Sequence, residues 1–522
     1  MPGGFRVEGV PMTQAFVVGS GPNGLVAAVT LARAGYAVTV VEAQSTIGGG
    51  ARSAELTVPG LIHDHCAAIH PLALENPLLQ SLTSDDSAGL EWLLPPVQCA
   101  HPLLRTARGG LATGFAGAKS GGAALYRGVH ATAQQFPTAH DRFWWERIFR
   151  SPAGNFTELA SDILQPPLRL TQSETTGRRW GNLLRFGVLA GLPAATTSRL
   201  LLSAEARALF GGVAAHGFRP LTGPGSSAIG MMLTTAAHAR GWPVAKGGSQ
   251  AITNALVHAL KQSGGQITTG SPVRSLDDLP ASTDDIVMLD TTPQAALRII
   301  DASRRPPHVP AHIRAALSRY KYGPGVAVVN FAIEGDVPWT YEPARRAGTV
   351  HLGSSLHDIH TAERGINRGR LPEHPFVLVT QQYVADPSRS RGNLHPIDAY
   401  AHVPAGYAGE RSDQRDASAL CASIERVIEQ YAPGFRERIV AKKTRTPADV
   451  EHDNANFVGG NITTGANTLA GVLGRPRLST NPYAVTGRGD GLQVYLCSAA
   501  TPPGAGAHGL CGLYAAQAAL SH

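Results

Sequence analysis

The sequence predicts an α/β fold of two lobes, and three observations support this prediction. The chain has 522 residues, which is too long for one simple hydrophobic core. A strand–turn–helix–strand pattern with spaced glycines lies near the N-terminus, and a glycine-rich turn followed by a helix lies near the C-terminus. Only 16% of the residues are charged, whereas 59 are Gly and 37 are Pro. A loop-rich enzyme is therefore expected rather than a disordered or coiled-coil protein.

Composition also excludes several classes of function. The net charge of +7 is spread thinly and no dense Lys/Arg run occurs, so nucleic-acid binding is not expected. The five cysteines are scattered and form no C-x-x-C pair, which favours a reducing cytoplasm over a disulfide framework. The first residues contain no apolar signal segment, and no run of 18 apolar residues occurs. A soluble, cytoplasmic protein is expected.

The N-terminal unit has the spacing of a Rossmann-type nucleotide-binding motif. A short apolar run, Ala15–Val18, predicts a buried parallel strand, and the glycines that follow it match G-x-G-x-x-G. A helix over 25–34, a second strand over 37–41 and an acid at the end of that strand follow in register. The carboxylate of this acid can bind the hydroxyl pair of a ribose. Contacts with a dinucleotide are expected from Gly19, Gly21, Pro22, Asn23, Gly24, Glu42 and Ala43.

The next residues, EAQSTIGGGARS, resemble the glycine-doublet signature of the FAD-dependent amine oxidases and phytoene desaturases. Gly48 and Gly49 stand six and seven residues after Glu42, as that signature requires. The resemblance implies FAD as the cofactor, with contacts from Gly48, Gly49 and Gly50. These families often carry Arg directly after the doublet, whereas here Gly50 has that place and the basic residue is Arg52. Arg52 is thus either a ligand of the flavin phosphates or a solvent-exposed loop arginine.

Two later blocks resemble the same flavoproteins. In the block 241–276 a helix follows a glycine pair, with Ser249 as its predicted N-cap. In these families a valine at the place of Val273 contacts the adenine. In these families a C-terminal segment approaches the flavin, and it is resembled here by the strand over 492–496, the glycine turn and the helix after it. The N-terminus of such a helix offers free N–H groups to phosphates. Contacts are expected from Gly504, Ala505, Gly506 and Gly509.

Over nearly its full length the chain resembles a phytoene dehydrogenase-like FAD oxidoreductase. The stretch from Glu42 to Pro71 and LYAAQAAL near the C-terminus carry a closer match to the branch of pyridine nucleotide-disulphide oxidoreductase domain-containing protein 2. The resemblance implies the fold of phytoene desaturase/amine oxidase flavoproteins: a discontinuous Rossmann-type FAD-binding domain and a substrate domain of mixed sheet plus helices. The first is expected at 12–85, 236–300 and 455–522. The second is expected at 86–235 and 301–454, with strands over 325–333 and 376–384.

The resemblance also implies a reaction class. Members of the family act on apolar chains, so desaturation or isomerisation of a C–C bond in an isoprenoid- or polyene-like substrate is the leading expectation. One alternative is an FAD-dependent amine oxidase, which would need an aromatic cage and a water, often linked to a lysine, near the flavin; Lys246 is the candidate lysine. Another is a flavin-stabilised regulatory or scaffold protein with little catalysis. His508, before the last helix, is the candidate catalytic residue; it either orients the substrate, acts as a base or caps the helix.

The substrate is expected in a long apolar channel between the lobes. His508 and the segment His63–His70 are predicted to be its main polar features. No metal site is expected, since the H-x-H of this segment lacks distant partners in the sequence. The segment 178–202 either forms core helices or touches a membrane surface peripherally. The electron acceptor and the oligomeric state stay open.

Overall fold

The computed structural model describes residues 13–105, 119–168, 177–405, 407, 414–487 and 491–521. The side chains of residues 178–180, at the start of the predicted surface segment, lie outside the described part. Within the described ranges, no helix is both long and apolar enough to cross a membrane. The chain forms two large β-sheets, and helices cover the faces of both.

The strands alternate with helices along the chain, which is typical of α/β proteins. In chain order the strands of the described residues are β1 (Gln14–Val18), β2 (Ala37–Val41), β3 (Ser53–Ala54), β4 (His63–Asp64), β5 (Trp92–Leu93), β6 (Val97–Arg105), β7 (Lys119–Leu125), β8 (Val244–Ala245), β9 (Gln266–Thr268), β10 (Ile286–Leu289), β11 (Gly325–Glu334), β12 (Ala347–Leu352), β13 (Val377–Thr380), β14 (Leu394–Val403), β15 (Ile439–Arg445) and β16 (Gln493–Leu496).

The helices differ widely in length and burial. In chain order the α-helices of the described residues are α1 (Pro22–Arg33), α2 (Pro77–Thr83), α3 (Val129–Gln134), α4 (Ala139–Gly154), α5 (Phe156–Ile163), α6 (Gly177–Gly191), α7 (Ala194–Thr197), α8 (Ala204–Ala215), α9 (Ser227–Ala239), α10 (Gln250–Gln262), α11 (Pro293–Asp301), α12 (Ala311–Ser318), α13 (Leu356–Ile366), α14 (Gln414–Tyr431), α15 (Pro447–Asp453), α16 (Leu469–Gly474) and α17 (Leu510–Leu520).

The first sheet is parallel and has the strand order β16–β10–β1–β2–β9. Its central strands β1 and β10 are apolar and almost wholly buried, because helices cover the sheet. Helix α1 packs against α10 and α17. The carboxyl ends of parallel strands meet at one edge, so the loops after β1, β2 and β10 come together there. The predicted Rossmann-type α/β fold is confirmed.

The second sheet is mixed, with the order β15–β11–β14–β13–β12–β6–β7. Only β12 and β6 run parallel; the other pairs are antiparallel. Helix α14 packs against β11, β12 and β14, and α8 packs against β6 and β7. Alternate residues of these strands therefore face two different surroundings. The predicted substrate domain of mixed sheet plus helices has this architecture.

Several details differ from those predicted. Helix α1 begins at Pro22 instead of residue 25, because a proline fits the first helical turn without losing a hydrogen bond. The strand predicted over 376–384 ends at Thr380, and the side-chain amide of Gln381 donates to the carbonyls of Ala344 and Ala347. Ser249 is the N-cap residue of α10, as predicted, but its side chain makes no capping hydrogen bond, since its hydroxyl donates to the carbonyl of Ala67.

Candidate nucleotide and substrate site

A cavity of about 1180 Å³ is lined by residues of both large sheets. Its walls include the loops after β1, β2 and β10, the turn before α17, parts of α6 and α9, and one face of β12–β14. Pockets for a single small molecule typically measure roughly 300–1,000 Å³. This cavity is larger, so it has room for a cofactor together with a second molecule.

The glycine positions of the loop after β1 leave no room for side chains. A Cβ atom on Gly21 would lie 2.7 Å from Oδ2 of Asp290, and one on Gly24 would lie 2.3 Å from the carbonyl oxygen of Gly19. Gly19 also has a φ of +104°, which favours glycine. Gly19, Gly21, Pro22 and Asn23 line the cavity, whereas Gly24 lies outside its lining. The N-terminus of α1 therefore faces the cavity.

Glu42 stands at the end of β2 with its carboxylate fixed by three hydrogen bonds. Its Oε2 accepts from the backbone N–H of Ser20 at 2.8 Å and from the Ser20 hydroxyl at 2.6 Å. Its Oε1 accepts from the N–H of Gln44 at 2.8 Å. Glu42 and the adjacent Ala43 both line the cavity. The acid is thus held beside the glycine loop, as a ligand of ribose hydroxyls would have to be.

A second acid, Asp290, lies at the same edge and was missed by sequence reasoning. It follows β10, and its Oδ2 accepts the N–H of Gly24 at 3.0 Å. Burial raises the pKa of Asp290 to about 6, and the nearby Glu42 carboxylate adds to the rise. An acid directly after a buried apolar strand of a parallel sheet is the signal that could have found it.

The loop with the glycine doublet packs on the glycine loop. Gly49 has a φ of +53°, and a Cβ there would lie 3.0 Å from Cα of Gly21. Gly49, Gly50 and Arg52 line the cavity, whereas Gly48 does not. The guanidinium of Arg52 donates to the carbonyls of Gly49 at 2.9 Å and Asp453 at 2.6 Å. Arg52 is half-buried and ties this loop to the end of α15, so it is not a solvent-exposed loop arginine.

The turn before α17 forms part of the cavity wall. Ala505 and Gly506 line it, and so does Val273 from the middle block. Gly504 and Gly509 do not. A Cβ on Gly504 would lie 3.0 Å from the guanidinium of Arg475, and one on Gly509 would lie 2.4 Å from Val26. These two glycines allow close packing behind the wall.

His508 lines the cavity and also caps the last helix. Its Nδ1 accepts the backbone N–H of Leu510 at 3.1 Å, which requires a lone pair on Nδ1. Burial lowers the pKa of His508 to about 4, so the ring is neutral and its proton is on Nε2. That buried Nε2 has no hydrogen-bond partner among the described residues. The neutral ring therefore carries its N–H on Nε2, while the lone pair of Nδ1 is held by the helix cap.

The expectation that His63 and His70 are polar features of the channel is wrong. Nδ1 of His63 lies 2.6 Å from Oδ1 of Asp398, and Nε2 of His70 lies 2.9 Å from the hydroxyl of Ser249. Both imidazoles thus point toward partners outside the cavity lining. From this segment only Cys66 and the apolar residues 67–69 line the cavity. No cluster of three or more His, Cys, Asp or Glu side chains suited to a metal ion occurs in the described ranges.

The predicted surface segment 178–202 is divided between two environments. Phe186 of α6 is buried and lines the cavity, whereas Leu184 and Val188 on the same helix are 68% and 58% exposed. The helix therefore forms part of the cavity wall with one face and presents apolar side chains to solvent with the other.

Geometry and fold together define a class: an α/β protein with a Rossmann-type parallel sheet and a second, mixed-sheet lobe. Residues 17–84 match a family model described as an NAD(P)-binding Rossmann-like domain. The expected resemblance is also confirmed. The chain is similar to pyridine nucleotide-disulfide oxidoreductase domain-containing protein 2 of Mus musculus, with 24% identity over 584 aligned positions that cover 97% of this chain and 93% of the mouse protein.

Solved structures show the same architecture. An oxidoreductase from Methanosarcina mazei superposes with a TM-score of 0.60 at 12% identity, covering 98% of this chain and 100% of that one. A putrescine oxidase bound to putrescine superposes with a TM-score of 0.57 at 16% identity, covering 98% and 99%. At these identities the likeness shows a shared fold, and the choice of cofactor and substrate has to be argued from this chain's own residues.

Proposed function

We propose that this chain is an FAD-dependent oxidoreductase that acts on a C–C bond of an apolar, isoprenoid- or polyene-like substrate, by desaturation or isomerisation. The observation that carries the proposal is the continuity of the cavity. One end holds the glycine loop and Glu42, and the same cavity continues along the apolar side chains of α6 and α9. A cofactor and an apolar substrate would therefore meet in one enclosure.

The residues at the nucleotide end fit FAD. The Cβ-free surface of Gly21 and Gly49 lets backbone approach a diphosphate, and the fixed carboxylate of Glu42 suits a ribose with both hydroxyls free, not a 2′-phosphate. The turn before α17 closes this same cavity. FAD is favoured over NAD because the N-terminal strand–helix–strand unit and the turn before α17 line the same cavity. Both segments would therefore hold one cofactor, as the resemblance to FAD-dependent proteins implies. The orphaned donor Nε2 of His508 is a further polar atom that a bound ligand would satisfy.

When bound, FAD supplies an acceptor for a hydride. The protein then has to orient the substrate, keep water out and stabilise charge that develops beside the acceptor. His508 meets the last requirement, because its Nε2–H donates a hydrogen bond while its Nδ1 is held by Leu510. The buried side chains of Phe186, Met232 and their neighbours exclude water from the other end.

The lining favours an apolar substrate over an amine. The wall formed by α6 and α9 contributes apolar side chains: Leu183, Phe186, Ile229, Met232 and Leu233. Lys246, the lysine considered for an amine oxidase, is 52% exposed and pairs with Glu91 at 2.7 Å. It lies outside the cavity lining, and none of the described lining residues is a lysine.

The exposed face of α6 supports a peripheral contact with a membrane. Leu184 and Val188 lie on the helix whose other face lines the cavity. An apolar substrate dissolved in lipid would then reach the cavity without crossing water.

The proposal is tested by anaerobic mixing. Purified protein is expected to be yellow, and its flavin absorbance is expected to bleach with a lipophilic polyene or alkene but not with primary amines such as putrescine. A redox-neutral isomerisation would leave the colour unchanged, and product analysis would then detect the isomer. Protein that neither contains nor takes up FAD would overturn the proposal. Bleaching by amines alone would replace the substrate class.

A further inference from the structure

One face of the second sheet forms the floor of the cavity. Strands β12, β13 and β14 lie side by side, with Thr349 opposite Thr380 and Leu378 opposite Tyr400. Because side chains alternate along a strand, these residues and their neighbours two positions away share one face. Thr349, Leu378, Thr380 and Tyr400 all line the cavity. The other face of the sheet packs against α14.

The hydroxyl groups on this floor differ in their partners. The Thr380 hydroxyl donates to the carbonyl of Asp398 at 3.2 Å. The Thr349 side chain is 1% exposed, and its hydroxyl has no hydrogen-bond partner in the part of the chain that the structure describes. A buried hydroxyl without a partner costs free energy, so a ligand or a water is expected to bind it. Burial raises the pKa of Tyr400, and its phenol therefore stays protonated and able to donate.

An imidazole adjoins the same floor. His216, at the end of α8, lines the cavity, and its Nε2 lies 2.9 Å from Nε2 of His351 on β12. One of these two nitrogens donates and the other accepts. Burial lowers the pKa of His216 to about 3 and that of His351 well below its usual value, so both rings are neutral at physiological pH. Neither ring therefore adds a charge to the floor.

Charged groups line a different part of the cavity. Among the described residues of the lining, the charged ones belong to the nucleotide end or to the segments that close it: Glu42, Arg52, Arg274, Asp290, Arg298, Asp453 and Arg475. A carboxylate or an ammonium group on the sheet floor would lie away from these charged residues. The acid opposite Thr380, Asp398, is outside the lining, and its Oδ1 is already bonded to His63 and Asn330. An uncharged oxygen function would find hydroxyl donors and acceptors.

We infer that the floor formed by Thr349, Tyr400 and His216 recognises an uncharged oxygen function, a hydroxyl or a carbonyl, on an otherwise apolar substrate. The inference rests on the proposed function in one respect: it takes the cavity to be the substrate-binding site. It narrows the substrate class from a pure hydrocarbon to an apolar alcohol, aldehyde or ketone. Thr349 contributes a donor and acceptor that nothing else in the described fold uses.

Binding of matched probes to the FAD-loaded protein tests this inference. Farnesol and farnesene share an apolar skeleton and differ in one hydroxyl group, and farnesylamine replaces that group with a charge. Dissociation constants from calorimetry are expected to show farnesol bound roughly tenfold more tightly than farnesene, as one or two hydrogen bonds would produce. Farnesylamine is expected to bind more weakly than either.

Variants assign the preference to the floor. Thr349→Val and Tyr400→Phe are expected to reduce the farnesol preference to about twofold or less while leaving farnesene binding unchanged. Thr234→Val is the matched control, since this hydroxyl of α9 is also buried and without a partner but lies outside the cavity lining. If the unaltered protein bound farnesol and farnesene equally, or bound neither, the inference would be overturned. The hydroxyl groups of the floor would then be expected to bind an ordered water. FAD content, measured in parallel, separates this outcome from failure of the proposed cofactor.

Discussion

The carboxylate of Asp290 accepts the backbone N–H of Gly24 at 3.0 Å, although the two residues are 266 positions apart in the sequence. A negative charge thereby lies beneath the glycine loop and beside the N-terminus of α1. The hydrogen bond favours the ionised acid, but burial outweighs it and raises its pKa to about 6. The charge state of one side chain thus affects both the stability of the loop and the binding of an anionic group above it.

Asp290→Asn is expected to remove a pH dependence of stability. An unfolded aspartate has a pKa of about 3.9, so a folded pKa of about 6 means that the folded protein binds the extra proton between these values. This contribution is complete below pH ~4 and is lost as the pH rises through about 6. The variant keeps an oxygen acceptor for Gly24 without the charge. Urea unfolding of cofactor-free protein should show it more stable by roughly 3 kcal/mol at pH 8, with little difference near pH 4.

Asp301→Asn is the control for this experiment, because that carboxylate is 49% exposed and pairs with Arg314. Its effect is expected to stay within roughly 0.5 kcal/mol at either pH. A stability difference between Asp290→Asn and the unaltered protein that does not change with pH would contradict the assignment.

Glu42→Gln is expected to weaken FAD binding by roughly 10- to 100-fold, since a charged acceptor for ribose hydroxyls is replaced by a neutral one. Glu42→Arg is expected to abolish binding by adding a misplaced charge. Flavin occupancy after purification and the Kd from fluorescence titration measure both. Glu91→Gln, at the exposed pair with Lys246, should leave the Kd unchanged. Normal occupancy in Glu42→Arg would show that this acid is not the ribose ligand.

Gly49→Ala should lose the cofactor. Its Cβ would lie 3.0 Å from Cα of Gly21, and its φ of +53° strains any other residue by roughly 1–2 kcal/mol. Gly35→Ala separates strain from collision, because Gly35 has a φ of +95° but no atom within 4 Å of the added Cβ. The control is expected to lower the melting temperature without reducing flavin content. Full flavin content in Gly49→Ala would mean that the doublet does not shape the site.

His508→Asn is expected to slow flavin reduction by roughly 10- to 100-fold while preserving the helix cap through its side-chain oxygen. Because the pKa of His508 is about 4, its titration should leave no inflection in the rate between pH 5.5 and 8. Stopped-flow reduction across this range checks both points. An inflection near pH 6.5 that disappears in the variant would show that the ring works as a base after all.

The nucleotide end of the cavity could be predicted from the sequence, because the residues of its motif are contiguous along the chain. Spacing from Gly19 to Glu42 predicts strand, turn, helix and acid within one unit, and the fold is confirmed. The sheet floor of the cavity could not be predicted in this way. Thr349 and Tyr400 come to share one face only through the register of three strands, which their own segments do not specify.

The error about the histidines has the same physical origin. Along the sequence, His63 and His70 flank residues 66–69, which line the cavity. Their side-chain directions are decided by Asp398 and Ser249, which are far away along the chain. Local pattern can place such residues on a segment, but a distant hydrogen-bond partner determines which way each one points.

The packing of α17 on α1 has a consequence for how the protein is made. A Cβ on Gly512 would lie 1.8 Å from the carbonyl oxygen of Asn23, so the two helices touch without a gap. During translation the second sheet leaves the ribosome before β16 and α17 do. Until α17 has been made, a nascent chain therefore leaves this flank of its glycine loop uncovered. The wall behind the candidate nucleotide site is completed only when α17 packs on α1.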